Sequence, residues 1–461
     1  MVFSSYIFLF AFLPAFLAVY YLTPFRGRSL VILLFSYLFY AWWQPEFLAL
    51  LVAVSVGSYA FGLAIAKAST QVKARTWLLI GVILNVAALV YFKYANFGMQ
   101  AYNDLRAAFG VERIPFGEIL LPIGLSFYIF HAISYLVDIY RRDATPARNV
   151  VDFSAFIALF PHLVAGPVLR YQLLAEQFRS RVHSIPRFAQ GCALFMAGFC
   201  AKVLVADPIA PVADAAFALA APSFLDAWLG SIAYTLQLFF DFSGYSTMAI
   251  GLALMIGFTF PQNFNDPYLS TSITDFWRRW HMSLSGWILN YVYIPLGGNR
   301  KGQVRTYVNL AAAMIICGIW HGANWTFVVW GAWHGFLLLA ERFLREQRGP
   351  STLPSGVRIA RTLFWVILGW VIFRAESLHA AGRMFKAMFG GSGWNFTPAF
   401  AWHLSTDRLL MMVVGIALVA LLPWLRRRQA IGWWVALVAL FGLAVATLSA
   451  QKFTPFLYFQ F

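Results

Sequence analysis

The chain has 461 residues, of which 61% are hydrophobic and only 11% are charged, against roughly 25% charged residues in soluble proteins. With a mean hydropathy of +0.70, this composition excludes a soluble protein and predicts an all-α polytopic membrane protein. The net charge of +16 comes from basic residues in short loops between apolar runs, where the positive-inside rule explains them. We therefore expect a lipid bilayer as partner and no nucleic acid.

A single integral-membrane domain over residues 1–461 is expected, because membrane helices favour one bundle. The 46 Phe, 20 Tyr and 18 Trp exceed what interfacial belts require, which predicts that many of these rings pack in the core. The cysteines lie in apolar segments and are typical of small core residues, with no disulfide or metal spacing. They are Cys192, Cys200 and Cys317.

The first half of the chain alternates apolar runs with basic loops. Residues 2–22 predict an uncleaved membrane anchor, since about 20 residues suffice to span and no cleavage site follows. Residues 151–164 are too short to span and predict a re-entrant or surface-lying segment. The other predicted spans are 47–66, 77–92, 119–140 and 188–205. Charge bias predicts cytoplasmic loops at 67–75, 141–148 and 170–187, and outside loops at 93–118 and 207–226.

In the second half of the chain, the number of predicted spans and the positive-inside rule place one segment on opposite sides of the membrane. Runs 225–242 and 245–260 would place the basic segment 261–305 outside, so we expect one run to be a partial helix. Residues 362–373 predict a short span, and 374–408 an outside loop with interfacial helices. Residues 409–425 and 430–448 predict a hairpin around cytoplasmic Arg426, Arg427 and Arg428, with loop 341–361 also cytoplasmic. Both termini are then expected outside.

His321 follows an apolar run and precedes another, with no charged residue between Arg305 and Glu341. Gly322 and Asn324 predict a helix break there, which is tolerated at membrane depth only inside protein or along a wet cavity. A histidine at that depth is a functional hypothesis by default.

Three roles remain open for His321: a metal ligand, a hydrogen-bonded core histidine, or a general base, since imidazole titrates near neutral pH. No ligand-spaced His, Cys or carboxylate supports the metal role. Two further histidines, His281 and His334, are each flanked by Trp, which favours the catalytic role. His131 and His162 are interpreted as structural.

Residues 275–287 predict one amphipathic helix in which Asp275 pairs with Arg278 or Arg279. This helix is either a positive-inside anchor or an electropositive wall for an anionic substrate. The turn at 295–301 contains two glycines, and its N–H groups with Arg300 and Lys301 are suited to phosphate.

Six ordered motifs resemble those of the membrane-bound O-acyltransferase superfamily, in particular its bacterial branch of alginate O-acetylation and D-alanyl transfer proteins. The motifs are FPHLVAGP at 160–167, FDFSGYS at 240–246, NFNDPY at 263–268, FWRRWH at 276–281, PLGGNR at 295–300 and WHG at 320–322. The resemblance implies catalytic roles for His321 and His281. The side chains expected to bind substrate are Arg278, Arg279, Asn299, Arg300, Lys301, Trp320, Asn324, His334 and Asp241.

The resemblance also implies a ring-like bundle of about 10 to 12 transmembrane helices, with re-entrant and interfacial helices, around a tunnel. The expected location is the bacterial inner membrane. The expected donor is acetyl-CoA, a substrate rather than a bound cofactor, and no metal is expected. The acetyl group would reach an exopolysaccharide such as alginate or cellulose, directly or through a periplasmic acetyltransferase partner.

Other functions stay open from the sequence. The chain could use another acyl group or a lipid acceptor. A transporter or flippase with a midplane histidine is a different class, but no paired half-helices in two repeats support it. A scaffold that only recruits periplasmic enzymes would leave the buried histidine unexplained.

Overall fold

The computed structural model describes residues 1–425, 432–450 and Phe456. Within these residues the protein is helical and has no β-strand, which confirms the all-α prediction. The helices are α1 Leu13–Leu22, α2 Arg28–Ala41, α3 Leu48–Ala66, α4 Gln71–Ala108, α5 Leu125–Arg141, α6 Val150–Ala158, α7 Phe160–Leu163, α8 Tyr171–Arg179, α9 Ile185–Cys200, α10 Asp207–Ala218, α11 Phe224–Met255, α12 Ile273–Arg279, α13 Met282–Ile288, α14 Gln303–His321, α15 Trp325–Arg348, α16 Ser355–Arg374, α17 Leu378–Met388, α18 Pro398–Ala401, α19 Thr406–Leu425 and α20 Gly432–Ala450. Three π-helical segments lie at Phe8–Phe12, Ala201–Ala206 and Leu289–Tyr293.

Six helices in the described ranges are long and apolar enough to cross a membrane, so the protein is a multi-pass membrane protein. They are Pro45–Ala66, Gln71–Ala108, Ile185–Ala218, Phe224–Met255, Trp325–Arg348 and Ser355–Arg374. The total of 10 to 12 spans, the ring and the tunnel stay predictions. The predicted turn at 426–428 and the tail from 451, apart from Phe456, lie outside the described residues.

Two compact units divide the chain. The first comprises Met1–Cys192 and Ala249–Pro261, and the second comprises Ala193–Met248 and Gln262–Phe461. In the first unit, Phe160 packs against five other phenylalanine rings at centroid distances of 5.1 to 6.4 Å. This core confirms the prediction that many aromatic rings are buried. All candidate site residues lie in the second unit, and the single-domain expectation stays a prediction.

The predicted outside loop at 93–118 is wrong for its first half, because α4 continues to Ala108. No glycine or proline interrupts residues 99–109. Asn96 and Asn103 of α4 each bind the backbone N–H and C=O of the returning chain, at Ile119 and Ile114 respectively. These paired bonds hold an extended segment along the helix and satisfy its backbone.

The two apolar runs predicted between 225 and 260 form one helix, α11, so neither run is a partial helix. Gly244 lies inside α11 without breaking it. A Cβ there would lie only 2.7 Å from the Gly198 carbonyl oxygen of the neighbouring helix, so glycine is needed for this close approach. Asp241, in mid-helix, is satisfied by an ion pair with Lys202 at 3.1 Å. A single helix crosses once, which removes the conflict between span count and charge.

The other differences are in helix boundaries. The segment predicted as an outside loop from 207 is helical to Ala218, and Asp207 is bound to Lys202 at 2.7 Å. The span predicted at 362–373 is longer and starts at Ser355. Residues 151–164 form α6 and α7, whose residues from Phe153 onward are buried in the protein, and their predicted surface-lying position at the membrane stays a prediction. The re-entrant alternative also stays a prediction.

Candidate active site

His321 is the last residue of α14, and the break predicted after it is confirmed. Gly322 has extended backbone, and α15 begins at Trp325. Asn324 caps α15 by accepting a hydrogen bond from the Thr326 N–H at 3.1 Å. Its amide also donates to the Glu376 carbonyl oxygen at 2.9 Å. The amide of Asn324 therefore fixes the break, and its predicted substrate contact stays a prediction.

Glycines bring α14 and α15 into close contact next to this break. A Cβ on Gly331 would lie 2.5 Å from the carbonyl oxygen of Met314, and one on Gly318 would collide with the carbonyl oxygen of Phe327. Small residues of this kind let helix backbones approach in membranes. The His321 side chain is thus held by two tightly packed helices rather than by a loop.

Aromatic rings surround His321, which is only 6% exposed. Its ring centroid lies 4.8 Å from Trp320, 5.0 Å from Trp330 and 5.1 Å from Phe373. Trp330 also contacts His334, again at 5.0 Å. The ring of Trp330 therefore separates two buried histidines of the candidate site.

His334 is fully buried and lies 5.1 Å from the ring of Trp277 on α12. Neither nitrogen of its ring forms a hydrogen bond within the part of the chain that the structure describes. The same holds for the buried indole N–H groups of Trp277 and Trp330. Buried polar atoms are normally satisfied, so these groups are suited to bind polar atoms of a substrate.

His281 lies at a second break. The predicted single helix over 275–287 is wrong, because α12 ends at Arg279 and α13 starts at Met282, with His281 in the left-handed region at φ 44°. The break between α12 and α13 is explained by backbone hydrogen bonds to residues 263 and 265, which precede α12 in the chain. Asn263 accepts from the Met282 N–H, and the Asn265 N–H donates to the Arg279 carbonyl, both at 2.9 Å.

The side chain of Asn263 fixes the tautomer of His281. Its Oδ1 accepts from the Ser283 backbone N–H at 3.2 Å and from the Ser283 hydroxyl at 2.8 Å. An atom that accepts from a backbone N–H is the amide oxygen, so Nδ1 of His281, 3.2 Å away, carries the hydrogen. The neutral ring then has its lone pair on Nε2. Burial lowers the pKa of His281 to about 3.

Glu341 positions α12 against α15. Its carboxylate accepts hydrogen bonds from the Ile273 N–H at 2.7 Å and the Thr274 N–H at 3.3 Å. A carboxylate at a helix N-terminus satisfies free N–H groups and complements the helix dipole. The sequence shows Glu341 only as the charge that ends an apolar run. Neither its role nor that of Asn263 is visible in local spacing.

Ring contacts join the three histidines in a row. Trp320 lies between His281 and His321, at 6.4 and 4.8 Å, and Trp330 lies between His321 and His334. We name these five residues the histidine cluster. Because tryptophan rings separate the histidines, their nitrogens do not converge as metal ligands do. No group of three potential metal ligands occurs among the described residues.

Asp241 lies in a different group. It is 2% exposed and shares the ammonium of Lys202 with Asp207, at 3.1 and 2.7 Å. Such a buried pair is costly to break, because one partner would be left as an uncompensated charge. The structure thus shows a structural contact for Asp241, and its predicted substrate contact stays a prediction.

The basic residues predicted as a wall are spread along the surface of the second unit. Arg279 is paired with Asp275 at 2.8 Å, while Arg278, Asn299, Arg300 and Lys301 are exposed. The predicted turn is confirmed by positive φ at Gly297 and Gly298. Among the described contacts, none joins these residues to the histidine cluster.

Comparison with known proteins gives a family and named relatives. A model of the membrane-bound O-acyltransferase family matches residues 38–379. The chain is 49% identical to a probable alginate O-acetylase, AlgI, of Azotobacter vinelandii, with 100% of both chains covered. It is 35% identical to a peptidoglycan O-acetyltransferase of Helicobacter pylori over 85% of this chain and 80% of the relative. A teichoic acid D-alanyltransferase of Streptococcus thermophilus is 28% identical over 49% of this chain and 58% of its own length.

The matched range contains all six motifs and the whole histidine cluster. The resemblance inferred from those motifs is therefore confirmed. Two of the three relatives are named as O-acetyl-transferring enzymes and cover most of the chain. The chain belongs to the membrane-bound O-acyltransferase family and is an O-acyltransferase.

Proposed function

We propose that this protein moves an acetyl group from acetyl-CoA to hydroxyl groups of an exopolysaccharide of the alginate class. The observation that carries the proposal is the histidine cluster at the two helix breaks, where a neutral imidazole is held beside a second buried histidine. The full-length similarity to a probable alginate O-acetylase supports the choice of acceptor.

The chemistry requires one proton acceptor. The acceptor hydroxyl oxygen attacks the thioester carbonyl carbon, the C–S bond breaks, and the hydroxyl proton passes through the base to the leaving thiolate. We assign the base to His321, which ends α14 at the break. His281, with its lone pair on Nε2, is assigned to orient the acceptor by accepting a hydrogen bond from a neighbouring hydroxyl, because the reacting hydroxyl donates its only hydrogen to His321. A positioned base typically contributes about 10² to 10⁴ in rate.

The donor is proposed to bind from the cytoplasm. Exposed Arg300 and Lys301 offer positive charge to phosphate. The N–H groups of Gly297, Gly298 and Arg300 already donate to carbonyl oxygens within the turn. The positive-inside rule favours a cytoplasmic position for this basic segment in a bacterial inner membrane. A periplasmic acetyltransferase partner would then receive the acetyl group on the opposite side.

The donor site can be tested by neutralising charge. The double variant Arg300→Gln, Lys301→Gln should raise the KM for acetyl-CoA about 3- to 10-fold and change kcat less, since charge-assisted contacts to phosphate are lost. Arg279→Gln should have a smaller effect, because Asp275 already pairs with it. Arg113→Gln, an exposed residue expected on the other side, is the matched control. An unchanged KM in the double variant would leave these residues as topology signals only.

The activity itself can be tested in proteoliposomes. Labelled acetyl-CoA should yield free CoA and labelled acetate ester on de-acetylated alginate, supplied alone or with a periplasmic protein fraction. Uptake of acetyl-CoA without thioester cleavage would indicate a transporter, and no turnover of acetyl-CoA would indicate a scaffold. Faster transfer to peptidoglycan fragments or to a lipid would replace the proposed acceptor. Faster use of another acyl donor would replace acetyl-CoA.

A further inference from the structure

Arg181, in the first unit, is enclosed by aromatic rings and is 8% exposed. Its guanidinium carbon lies 4.8 Å from the ring centroid of Phe258, 5.1 Å from Phe25 and 5.6 Å from Phe178. None of its three guanidinium nitrogens forms a hydrogen bond in the described structure. A buried charge without a hydrogen-bond partner is costly, and cation–π contacts offset only part of that cost.

A second guanidinium lies close by. Arg28 stacks over Tyr20 at 4.9 Å, and its Nη1 lies 3.3 Å from Nε2 of His183. The Tyr20 hydroxyl donates its only hydrogen to the Ile256 carbonyl at 2.7 Å, so it accepts from His183 Nε2, 3.0 Å away. That Nε2 carries a hydrogen and is no acceptor for Arg28. Arg28 Nη1 and His183 Nε2 thus face each other as two donors, while the Tyr20 hydroxyl accepts from His183 and the Thr23 carbonyl oxygen accepts from Arg28 Nε at 3.1 Å.

No carboxylate neutralises this group. Within the described residues, neither Arg28, Arg181 nor His183 takes part in an ion pair with an acid. Asp152 attracts the charge of Arg181 from beyond ion-pair distance. Burial, and then the charges of Arg28 and Arg181, lower the pKa of His183. Two guanidiniums and an imidazole N–H in one place, without an acid, are typical of phosphate recognition.

We propose that Arg28, His183 and Arg181 form a binding site for a phosphate group, distinct from the histidine cluster. Arg28 and His183, which are partly exposed, contact the phosphate, and enclosed Arg181 adds positive charge behind them. The phosphate belongs either to an anionic phospholipid headgroup or to a soluble phosphate compound. The site does not depend on the proposed acetyl transfer, because it is tested by binding.

The test measures thermal unfolding and ligand retention of the full-length protein in detergent. The probes are phosphatidylglycerol, phosphatidylcholine as neutral lipid, and inorganic phosphate. A ligand that binds the folded state raises the unfolding temperature. Stabilisation by phosphatidylglycerol alone identifies a lipid site, and stabilisation by inorganic phosphate identifies a soluble ligand. Equal stabilisation by phosphatidylcholine, or none by any probe, overturns the proposal.

Three variants locate the effect. Arg28→Gln and Arg181→Met should each weaken binding of the stabilising probe about tenfold, the first through a lost charge-assisted hydrogen bond and the second through the lost positive charge behind the site. Arg26→Gln, two residues from Arg28 and exposed, is the matched control and should change binding less than twofold. Equal losses in all three variants would mean a diffuse charge effect and overturn the site. If Arg181→Met does not fold, the comparison of Arg28→Gln with Arg26→Gln decides.

Discussion

The protein contains two groups of buried histidines that differ in how the chain holds them. In the first unit, His131 and His162 are both fully buried, with ring centroids 4.4 Å apart. His131 lies within the regular helix α5, and its Nε2 accepts the Leu169 backbone N–H at 3.2 Å. It serves as a backbone partner, as most buried polar side chains do.

The histidine cluster of the second unit is equally buried, but two of its members lie where helices stop. His321 ends α14, and His281 separates α12 from α13. The His281 tautomer is fixed by a side chain, Asn263, whereas the ring of His131 is bound by a backbone N–H. Burial therefore does not distinguish a reactive histidine from a structural one. We propose that broken backbone, together at His281 with a side chain that selects the tautomer, marks the catalytic histidines.

The largest effect is expected at His321. His321→Ala should lower acetyl transfer about 10²- to 10⁴-fold, because a positioned base is lost. The matched control is His131→Gln, whose amide oxygen can still accept the Leu169 N–H, and it should retain most activity. Both are measured as initial rates with purified protein whose unfolding temperature is normal. A folded His321→Ala variant with near-normal rate would remove the distinction between the two groups.

Asn263 should have the next largest effect. Asn263→Ala frees the His281 ring to adopt either tautomer, and a wrong tautomer impairs catalysis strongly, so we expect a loss of about tenfold or more. Asn263→Asp keeps an acceptor on Nδ1 and should recover part of the rate.

The pH profile separates orientation from general damage. The pKa of His281 is about 3, so the wild-type ring stays neutral between about pH 5 and 8 and should itself add no acid limb to the profile. A carboxylate at 263 favours the imidazolium and raises that pKa. Activity of Asn263→Asp should then fall as pH decreases. An identical profile for wild type and variant would contradict the role of Asn263 in setting the state of His281.

A smaller effect is expected at His334, neither of whose ring nitrogens has a hydrogen-bond partner in the described structure, and buried His162 is its matched control. His334 adjoins two buried indole N–H groups, whereas His162 adjoins Phe156, Phe260 and His131. His334→Phe should lower the rate about tenfold at unchanged unfolding temperature, since the hydrogen bond it offers a substrate is lost. His162→Phe should leave the rate unchanged. Equal effects would assign His334 to the core.

Local pattern was enough to predict one break but not the other. Gly322 and Asn324 indicate the first, because glycine often follows a helix end and asparagine is a favoured N-cap residue. At His281, the sequence from 275 to 287 is amphipathic throughout and predicts one helix. The break depends on the backbone of residues 263–265, and the position of α12 depends on Glu341. Contacts between distant residues leave no periodic signal.

The same limit explains the error at α11. Ser243 and Gly244 after Asp241 are typical of a turn, and local propensity favours that interpretation. The partner Lys202 is on another helix, and Gly198 allows the close approach. Tertiary packing overrides propensity here. The helical class and the family motifs were thus predictable from the sequence, whereas the partners of polar side chains in mid-helix were not.

The last prediction concerns sidedness and should not change activity at all. Single cysteines in a background lacking Cys192, Cys200 and Cys317 are labelled with an impermeant thiol reagent in spheroplasts. Ser69→Cys and Ser351→Cys, in basic loops, should be protected, whereas Ala221→Cys and Asn395→Cys should react. All four positions are exposed in the structure, so protection reports the membrane side rather than burial.

The labelling result would also show which end of the histidine cluster is nearer the cytoplasm. Asn324, at the start of α15, binds the carbonyl of Glu376 in the segment expected outside, and Glu341, towards the end of α15, binds α12 on the side expected to be cytoplasmic. Along α15, His334 is then nearer the cytoplasm, and His321, before its first residue, is nearer the periplasm. A donor from the cytoplasm would meet His334 first and transfer its acetyl group at His321. Labelling of Ser351→Cys from outside would reverse this order and place the proposed donor site on the wrong side.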